Sequence, residues 1–140
     1  MFRKSRIIVV IMVLLAVPSW SFAQMKEGLW EITSQTQIEG MPMSTPPVTF
    51  RQCLNKKEAV PQNRDRGTEC KIISQKISGD TMTYTSECKN AQGNMRATGK
   101  IVYSGNTMEG KTATAFSAKG QAPMQMTTVM KGKYLGPCNK

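Results

Sequence analysis

The amino-acid sequence predicts an all-β fold class, an antiparallel meander curled into a small barrel or a strongly bent sheet, with one short helix and two disulfides. Apolar and polar residues alternate over most of residues 24–140, which is the pattern of strands with one buried face. Short clusters of glycine, proline, asparagine and aspartate separate these segments, as hairpin turns do. Long segments with the period of an α-helix are absent from this sequence.

The first 23 residues have the three parts of a secretory signal peptide. A basic segment, Met1 to Arg6, precedes eleven apolar residues, Ile7 to Val17, and small residues follow at Ser21 and Ala23. A membrane-spanning helix needs about 20 apolar residues, so we expect cleavage after Ala23, export and no stable membrane anchor. Residues 24–140 then form a single domain.

The first half of this domain contains two predicted strands and the short helix. Residues Leu29 to Ile38 alternate and form the first strand, and residues Val48 to Leu54 form the second. Three prolines lie between them and predict a turn-rich connection. Asn55 is a suitable cap for a helix from Lys56 to Val60, which Pro61 ends.

A hairpin follows, with strands 70–77 and 81–88 around the loop Ser78-Gly79-Asp80. A turn centred on Gly79 places three pairs opposite each other: Ile77 with Thr81, Ser74 with Tyr84, and Cys70 with Cys88. Opposed strand residues are close enough for a disulfide, so we predict Cys70–Cys88 and, by elimination, Cys53–Cys138. A slip of one residue would move the first two cysteines to opposite faces.

A second hairpin joins Asn94–Ser104 to Thr107–Phe116 through Gly105-Asn106, with Tyr103 opposite Met108. The last strand runs from Met124 to Leu135 with its apolar residues at even positions, and it completes seven strands typical of a meander. Glycines within these strands are typical of tight bends in a barrel; they are Gly99, Gly110 and Gly132.

The four cysteines and the charge indicate the compartment and the class of partner. An even number of cysteines after Ala23 is typical of disulfides in an oxidising compartment, and their gaps of 16, 17 and 49 residues do not match a zinc site. The full chain has 19 basic and 9 acidic residues, and the signal peptide takes three of the basic ones, which leaves 16 minus 9, or +7. Outside the cytosol we expect no nucleic acid but an anionic envelope component as partner, although scattered basic residues are more often a solvated surface.

Several short motifs resemble one known family over nearly all of residues 24–140. They are Gly28-x-Trp30, Gly40-Met-Pro-Met43, Cys53 before a polar segment, Gly79-Asp80 with Tyr84 and Cys88, and Gly132-x-Tyr-x-Gly-Pro-Cys138. Together they resemble the small exported bacterial proteins grouped as domain of unknown function 3617. The resemblance implies a Gram-negative envelope protein with this cysteine framework, and therefore a periplasmic location, and it implies no activity.

The residue types argue against catalysis. The sequence has no histidine, which removes imidazole acid–base chemistry and the Ser-His and Cys-His nucleophiles. Paired cysteines leave no thiolate. Ser86-x-x-Lys89 matches a motif of penicillin-interacting enzymes, but on a strand the two side chains point to opposite faces. We therefore expect no catalytic residue, no cofactor and no enzymatic activity.

Methionine is abundant, with nine residues after Ala23. Two Met-x-Met pairs, Met41 with Met43 and Met124 with Met126, are of the soft type that binds Cu(I). The favoured interpretation is that Met124, Met126 and Met130 fill the core face of a strand.

The predicted function is therefore binding rather than catalysis. We expect either a small apolar or amphipathic ligand inside the sheet or an envelope component outside it, with an adaptor or inhibitor of another envelope protein and a Cu(I)-binding protein as alternatives. The sequence leaves open the ligand, the protein partner, the oligomeric state and whether the interior is filled or hollow. The candidate ligand-binding residues are Trp30, Tyr84, Tyr103, Met108, Met126, Met130 and Tyr134.

Overall fold

Seven antiparallel strands form one sheet in the computed structural model, which describes residues 25–62 and 66–139. The strands are β1 (Gly28–Ile38), β2 (Val48–Leu54), β3 (Glu69–Ser78), β4 (Thr81–Asn90), β5 (Gly93–Ser104), β6 (Thr107–Ser117) and β7 (Met124–Gly136). All seven predicted strands are confirmed, each with ends within two residues of the prediction. The predicted signal peptide, residues 1–23, lies outside the described residues.

The sheet is an up-and-down meander that curls into a half-barrel. Its strand order is β2-β1-β7-β6-β5-β4-β3, so the first strand pairs with the last, as it does in a closed barrel. Within the described ranges, β2 and β3 do not pair and are the two free edges. Of the two predicted shapes, the strongly bent sheet is therefore the one observed, with an open seam between β2 and β3.

The β3–β4 hairpin corrects part of the predicted register. Its turn contains two residues, Gly79 and Asp80, and not three, so Ile77 faces Met82 and Gln75 faces Tyr84. The predicted pairs Ile77–Thr81 and Ser74–Tyr84 are therefore wrong. A bulge at Ile73 then adds one residue to β3 and restores the predicted register beyond it, which places Cys70 opposite Cys88.

The predicted helix from Lys56 to Val60 is wrong. Residues 55–62, called the strap below, form a series of bends, and no helix is found in the described part of the chain. Asn55 does cap the segment, because its side-chain oxygen accepts from the amides of Lys57 and Glu58 at 2.8 Å each. The carbonyls that a helix would use are bound elsewhere, since Lys56 O accepts from Gln75 and Ala59 O accepts from Tyr103.

The strap fills the open seam. The backbone amide of Gln62 donates to the side-chain oxygen of Gln52 in β2 at 3.0 Å. The side-chain amide of Gln75 in β3 donates to the backbone carbonyl of Lys56 at 3.2 Å. The strap is thus tied to both free edges. Ala59 and Val60 are buried against the concave face of the sheet. The strap thus takes the place of a β2–β3 strand pair, because it covers the apolar interior where the barrel does not close.

Both predicted disulfides are present, Cys70–Cys88 and Cys53–Cys138. Cys70 and Cys88 join the two strands of one hairpin. Cys53 of β2 lies opposite Leu29 of β1, which in turn lies opposite Gly136 of β7. The Cys53–Cys138 bond therefore reaches over β1 and ties its two neighbours together. Two disulfides in a chain of this size are typical of an oxidising, exported environment.

The core occupies one end of the concave face, and its packing depends on glycines. Met108 of β6 lies across Gly132 of β7, where a Cβ atom would come within 2.7 Å of the Met108 side chain. Met130 lies across Gly110 in the same way. The glycines in these strands give room to long side chains on the neighbouring strand, which is a more specific role than the predicted one of permitting bends. The buried hydrophobic residues are Trp30, Ile32, Leu54, Ala59, Val60, Met82, Tyr84, Ile101, Tyr103, Met108 and Met130.

Candidate functional site

The concave face of the half-barrel has two halves that differ in character. The end near Trp30 is filled by the core and covered by the strap. Beyond Met130 the apolar side chains give way to serine and threonine, and a cavity of about 330 Å³ opens between the sheet and the strap. This volume lies within the usual range of about 300–1,000 Å³ for small-molecule sites.

The floor of the cavity is a line of hydroxyl groups that crosses five strands. Strand pairing places Thr36 opposite Thr128, Thr128 opposite Thr112, Thr112 opposite Gly99, and Gly99 opposite Tyr84. We call these four hydroxyl-bearing residues, Thr36, Thr128, Thr112 and Tyr84, the hydroxyl row. All four line the cavity.

Gly99 allows the Tyr84 side chain to join this row. Tyr84 lies two strands away from Thr112, and its ring crosses the intervening β5 directly above Gly99. A Cβ atom at position 99 would come within 2.5 Å of the ring and 2.7 Å of the hydroxyl oxygen. Because glycine leaves this space free, the Tyr84 hydroxyl reaches Thr112 Oγ1 at 2.6 Å.

The hydroxyl row offers hydrogen-bond donors but no charge. Thr36 and Thr128 are hydrogen-bonded at 2.8 Å, as Tyr84 and Thr112 are at 2.6 Å. In each pair one hydroxyl donates, and the proton of the other is left for another acceptor. None of the described residues around the cavity is charged. The arrangement suits a molecule with an apolar body and neutral acceptors such as carbonyl, ester or hydroxyl oxygens.

Apolar groups form the rest of the cavity wall. Val48 and Phe50 of β2 lie on one side, with Val60 and Pro61 of the strap beside them. The Cys70–Cys88 disulfide also lines the cavity. The disulfide thus fixes the hairpin that carries Tyr84 and contributes an apolar surface to the site.

Burial perturbs the two tyrosines of the concave face. Removal from water raises the pKa of the Tyr84 phenol, an effect that its hydrogen bond to Thr112 partly offsets. Burial also raises the pKa of the Tyr103 phenol, and the nearby Tyr84 adds to this effect. Both phenols are held in their neutral form, which is the form that can donate a hydrogen bond.

These pKa shifts predict a loss of stability at alkaline pH. Above a pH of about 10, tyrosines in the unfolded chain release their protons while Tyr84 and Tyr103 in the folded chain keep theirs. The unfolded state then binds fewer protons, so the free energy of unfolding falls as the pH rises. Urea unfolding at a series of pH values from neutral to strongly alkaline measures this decline, and Tyr103→Phe should make it shallower. An equal slope in that variant would contradict the prediction.

The structure divides the predicted ligand-binding residues between the two halves. Tyr84 and Met130 line the cavity. Trp30, Tyr103 and Met108 are instead buried in the core, each at most 2 % exposed. Tyr134 packs against that core. Met126 lies opposite Ile38 and Thr114 on the concave side and is not among the residues lining the cavity.

The residues that the sequence analysis missed are mainly threonines and serines. The sequence predicts strands at Thr36, Thr112 and Thr128, but residue type alone favours aromatic and methionine side chains as ligand contacts. The signal that identifies them is their parity, because Thr36 and Thr128 share the inward-facing even positions of β1 and β7 with Ile32 and Met130. A hydroxyl at a position where the pattern demands a core residue indicates a polar interior.

The methionines proposed for Cu(I) are largely at the surface. Met41 is 52 % and Met43 78 % exposed, in the connection between β1 and β2, and Met124 is 39 % exposed. None of these three, nor Met126, lines the cavity. Among the described residues there is also no group of three histidine, cysteine or carboxylate side chains that could hold a metal ion.

A second depression of about 450 Å³ lies next to the cavity, further along β4, β5 and β6, and Cys88 lines both. Its lining includes Glu87 and Arg96, which form an ion pair at 2.7 Å. Because both groups are well exposed and already paired, this surface offers a ligand fewer free hydrogen-bonding groups than the hydroxyl row does.

No helix of the described residues is long and apolar enough to cross a membrane.

Comparison with known proteins identifies the family but assigns no activity. No curated protein and no solved structure matches the chain. The family model described as "Protein of unknown function (DUF3617)" matches residues 25–138, a range that contains all seven strands, both disulfides and the whole hydroxyl row. The chain therefore belongs to the DUF3617 family of proteins of unknown function.

Proposed function

We propose that this protein is a non-enzymatic binding domain of the bacterial periplasm that holds one small, uncharged, amphipathic molecule in the cavity of its half-barrel. The observation that carries the proposal is the hydroxyl row at the floor of a cavity of about 330 Å³. Small β-barrels either fill their interior with side chains or hold one small ligand. In this half-barrel the core end is filled and the end at the hydroxyl row is open.

The chemistry of the cavity supports an uncharged ligand. The hydroxyls of the row are hydrogen-bonded in two pairs, and a buried hydroxyl that lost its partner would cost about 1–3 kcal/mol. Valine would fill the same threonine positions without this requirement, so an interior that needed only packing would favour valine. Threonine at three inward positions of β1, β6 and β7 supports a role in ligand contact. A charged ligand group would find no countercharge among the described lining residues, and its desolvation would oppose binding.

A substitution that fills the cavity tests the proposal. Ala97 of β5 lines the cavity, whereas Ala113 of β6 is exposed on the opposite face. Ala97→Phe should weaken binding of N-phenylnaphthylamine, an uncharged fluorescent amphipathic probe, by about tenfold or more, which corresponds to about 1.4 kcal/mol. Fluorescence titration of the purified protein measures the dissociation constant.

Ala113→Phe is the matched control, because it makes the same change on the outer face, and it should leave the probe's affinity within about twofold. Equal effects of the two variants, or no saturable binding to the unaltered protein, would overturn the proposal. Native mass spectrometry of protein isolated from the cell envelope adds an independent measurement. It should show a bound small molecule that Ala97→Phe removes and Ala113→Phe retains.

A further inference from the structure

The convex face of the half-barrel carries a line of lysines that has no role in the cavity. Lys76 of β3 pairs with Thr83 of β4, Thr83 with Lys100 of β5, and Lys100 with Lys111 of β6. The three lysines, called the lysine row below, are all exposed. Because neighbouring strands lie about 4.8 Å apart, the row extends over roughly 14 Å in a single line across the sheet.

Other basic side chains of this face lie next to carboxylates. Arg51 and Lys133 contact Glu31 at 3.1 and 3.5 Å, Arg96 contacts Glu87 at 2.7 Å, and Lys131 lies 3.9 Å from Glu109. In the described ranges, no carboxylate forms an ion pair with any member of the lysine row. Lys71 and Lys89, at the other end of the β3–β4 hairpin, lie directly opposite Glu87 and Glu69. Among the described strand residues of the convex face, the members of the lysine row are therefore the basic side chains that have no carboxylate in an ion pair or directly across a strand.

The lysine row also includes a pairing that folding alone does not favour. Lys100 and Lys111 lie directly opposite each other on adjacent strands, where like charges are destabilising. Oppositely charged residues do lie across the strands in the neighbouring rows, as with Glu87 and Arg96 or Glu109 and Lys131. The exception at Lys100 and Lys111 is explained if an external anion lies between the two ammonium groups.

The convex surface on one side of the lysine row is rich in hydroxyl groups. The next outward positions along the strands are occupied by small side chains, namely Thr85, Thr98, Ala113 and Thr127. No aromatic side chain of the described residues is exposed. Proteins that bind the bilayer surface commonly use such aromatic anchors at the headgroup level. A convex surface would also bring only part of its width against a flat bilayer.

From this geometry we propose that the lysine row binds a linear polyanion, a flexible polymer with a carboxylate or phosphate on successive units, which lies across β3 to β6. A lysine ammonium acts as a point charge that accepts either anion. A flexible chain can follow the curvature of the sheet, and the small side chains allow close approach. This inference does not depend on the cavity, because the lysine row lies on the opposite face of the same strands.

The experiment compares two triple variants of equal net charge. Lys76→Gln, Lys100→Gln and Lys111→Gln together remove the lysine row, and Lys56→Gln, Lys57→Gln and Lys119→Gln remove three exposed lysines elsewhere. The probes are poly-L-glutamate and polyphosphate, with affinities measured by fluorescence anisotropy over a range of salt concentrations. Removal of the lysine row should weaken binding by about tenfold or more, and the slope of log affinity against log salt should fall by about 2, since each phosphate contact contributes about 0.7.

The control triple should change the affinity by no more than about twofold. Equal weakening by both triples would overturn the proposal, because it would show that net charge alone attracts the polymer. Binding to phosphatidylglycerol vesicles that depends on the lysine row, with no binding to either polymer, would also overturn it and indicate a bilayer surface. Unfolding in urea should show that both triples retain the stability of the unaltered protein or exceed it, since the first relieves the repulsion between Lys100 and Lys111.

Discussion

Replacement of Cys53 and Cys138 together by alanine is expected to lower the free energy of unfolding by about 4–5 kcal/mol, and replacement of Cys70 and Cys88 by about 3 kcal/mol. The bonds close chain segments with sequence separations of 85 and 18 residues, and the longer loop restricts the unfolded chain more. Small domains have a total stability of about 5–15 kcal/mol. Loss of the longer-range bond therefore removes a large fraction of the stability. Urea unfolding of the two double variants measures both effects.

The location of the Cys53–Cys138 bond adds a local consequence. β2 is a free edge with β1 as its only partner strand among the described residues, and the strap follows directly from it. Hydrogen exchange should therefore show faster exchange in β2 and the strap of the Cys53/Cys138 variant, with β4 and β5 less affected. If the Cys53/Cys138 variant loses no more unfolding free energy than the Cys70/Cys88 variant does, the predicted order of the two disulfides is contradicted. That result would show that the unfolded chain keeps the ends of the longer loop close together.

The β3–β4 hairpin shows how far the sequence alone can predict register. Alternation and Gly79 correctly identify the turn, and Cys70–Cys88 follows correctly from it. The prediction assumed one constant register along the hairpin. The structure instead has a tighter turn and a bulge at Ile73, whose effects cancel at the cysteines. Nothing in the local sequence marks Ile73 as a bulge, because an isoleucine fits a regular strand equally well.

The strap was beyond local prediction for a different reason. Asn55 and Pro61 are the residue types that usually mark the ends of a helix, and Asn55 does cap the segment although no helix forms. The conformation between them is decided by partners far away in the sequence, since Tyr103 and Gln75 bind the carbonyls of Ala59 and Lys56. A segment of five residues is too short for helix propensity to compete with such contacts.

The candidate site could be predicted only in part. The even-position pattern of the last strand correctly places Met130 on the concave face, where Tyr84, a candidate on residue type, also lies. It cannot tell which of the inward residues are buried by one another and which remain open, because that depends on where the strap crosses the seam. Trp30 and Tyr103 were reasonable candidates on residue type alone, but the strap covers their end of the half-barrel.

Trp30→Ala is expected to lower the free energy of unfolding by about 3–5 kcal/mol. Trp30 is fully buried, and its ring packs edge-on against Tyr103 and Tyr134 with centroid distances of 5.7 and 5.6 Å. Its Nε1 proton is donated to Lys26 O at 2.9 Å, so alanine removes a hydrogen bond and leaves a large void between β1, β5 and β7. Urea unfolding followed by circular dichroism measures the loss without relying on tryptophan fluorescence.

The same variant tests the division of the concave face into a filled core and an open cavity. At a low urea concentration where Trp30→Ala remains folded, its affinity for N-phenylnaphthylamine should stay within about threefold of the unaltered protein, because the cavity wall does not include Trp30. Trp30→Phe, which keeps an aromatic ring in the core, should cost only about 1–2 kcal/mol and leave the affinity unchanged. An affinity loss in folded Trp30→Ala as large as that of Ala97→Phe would show that the core and the cavity form one continuous binding volume. In that case the aromatic residues of the core would themselves be ligand contacts.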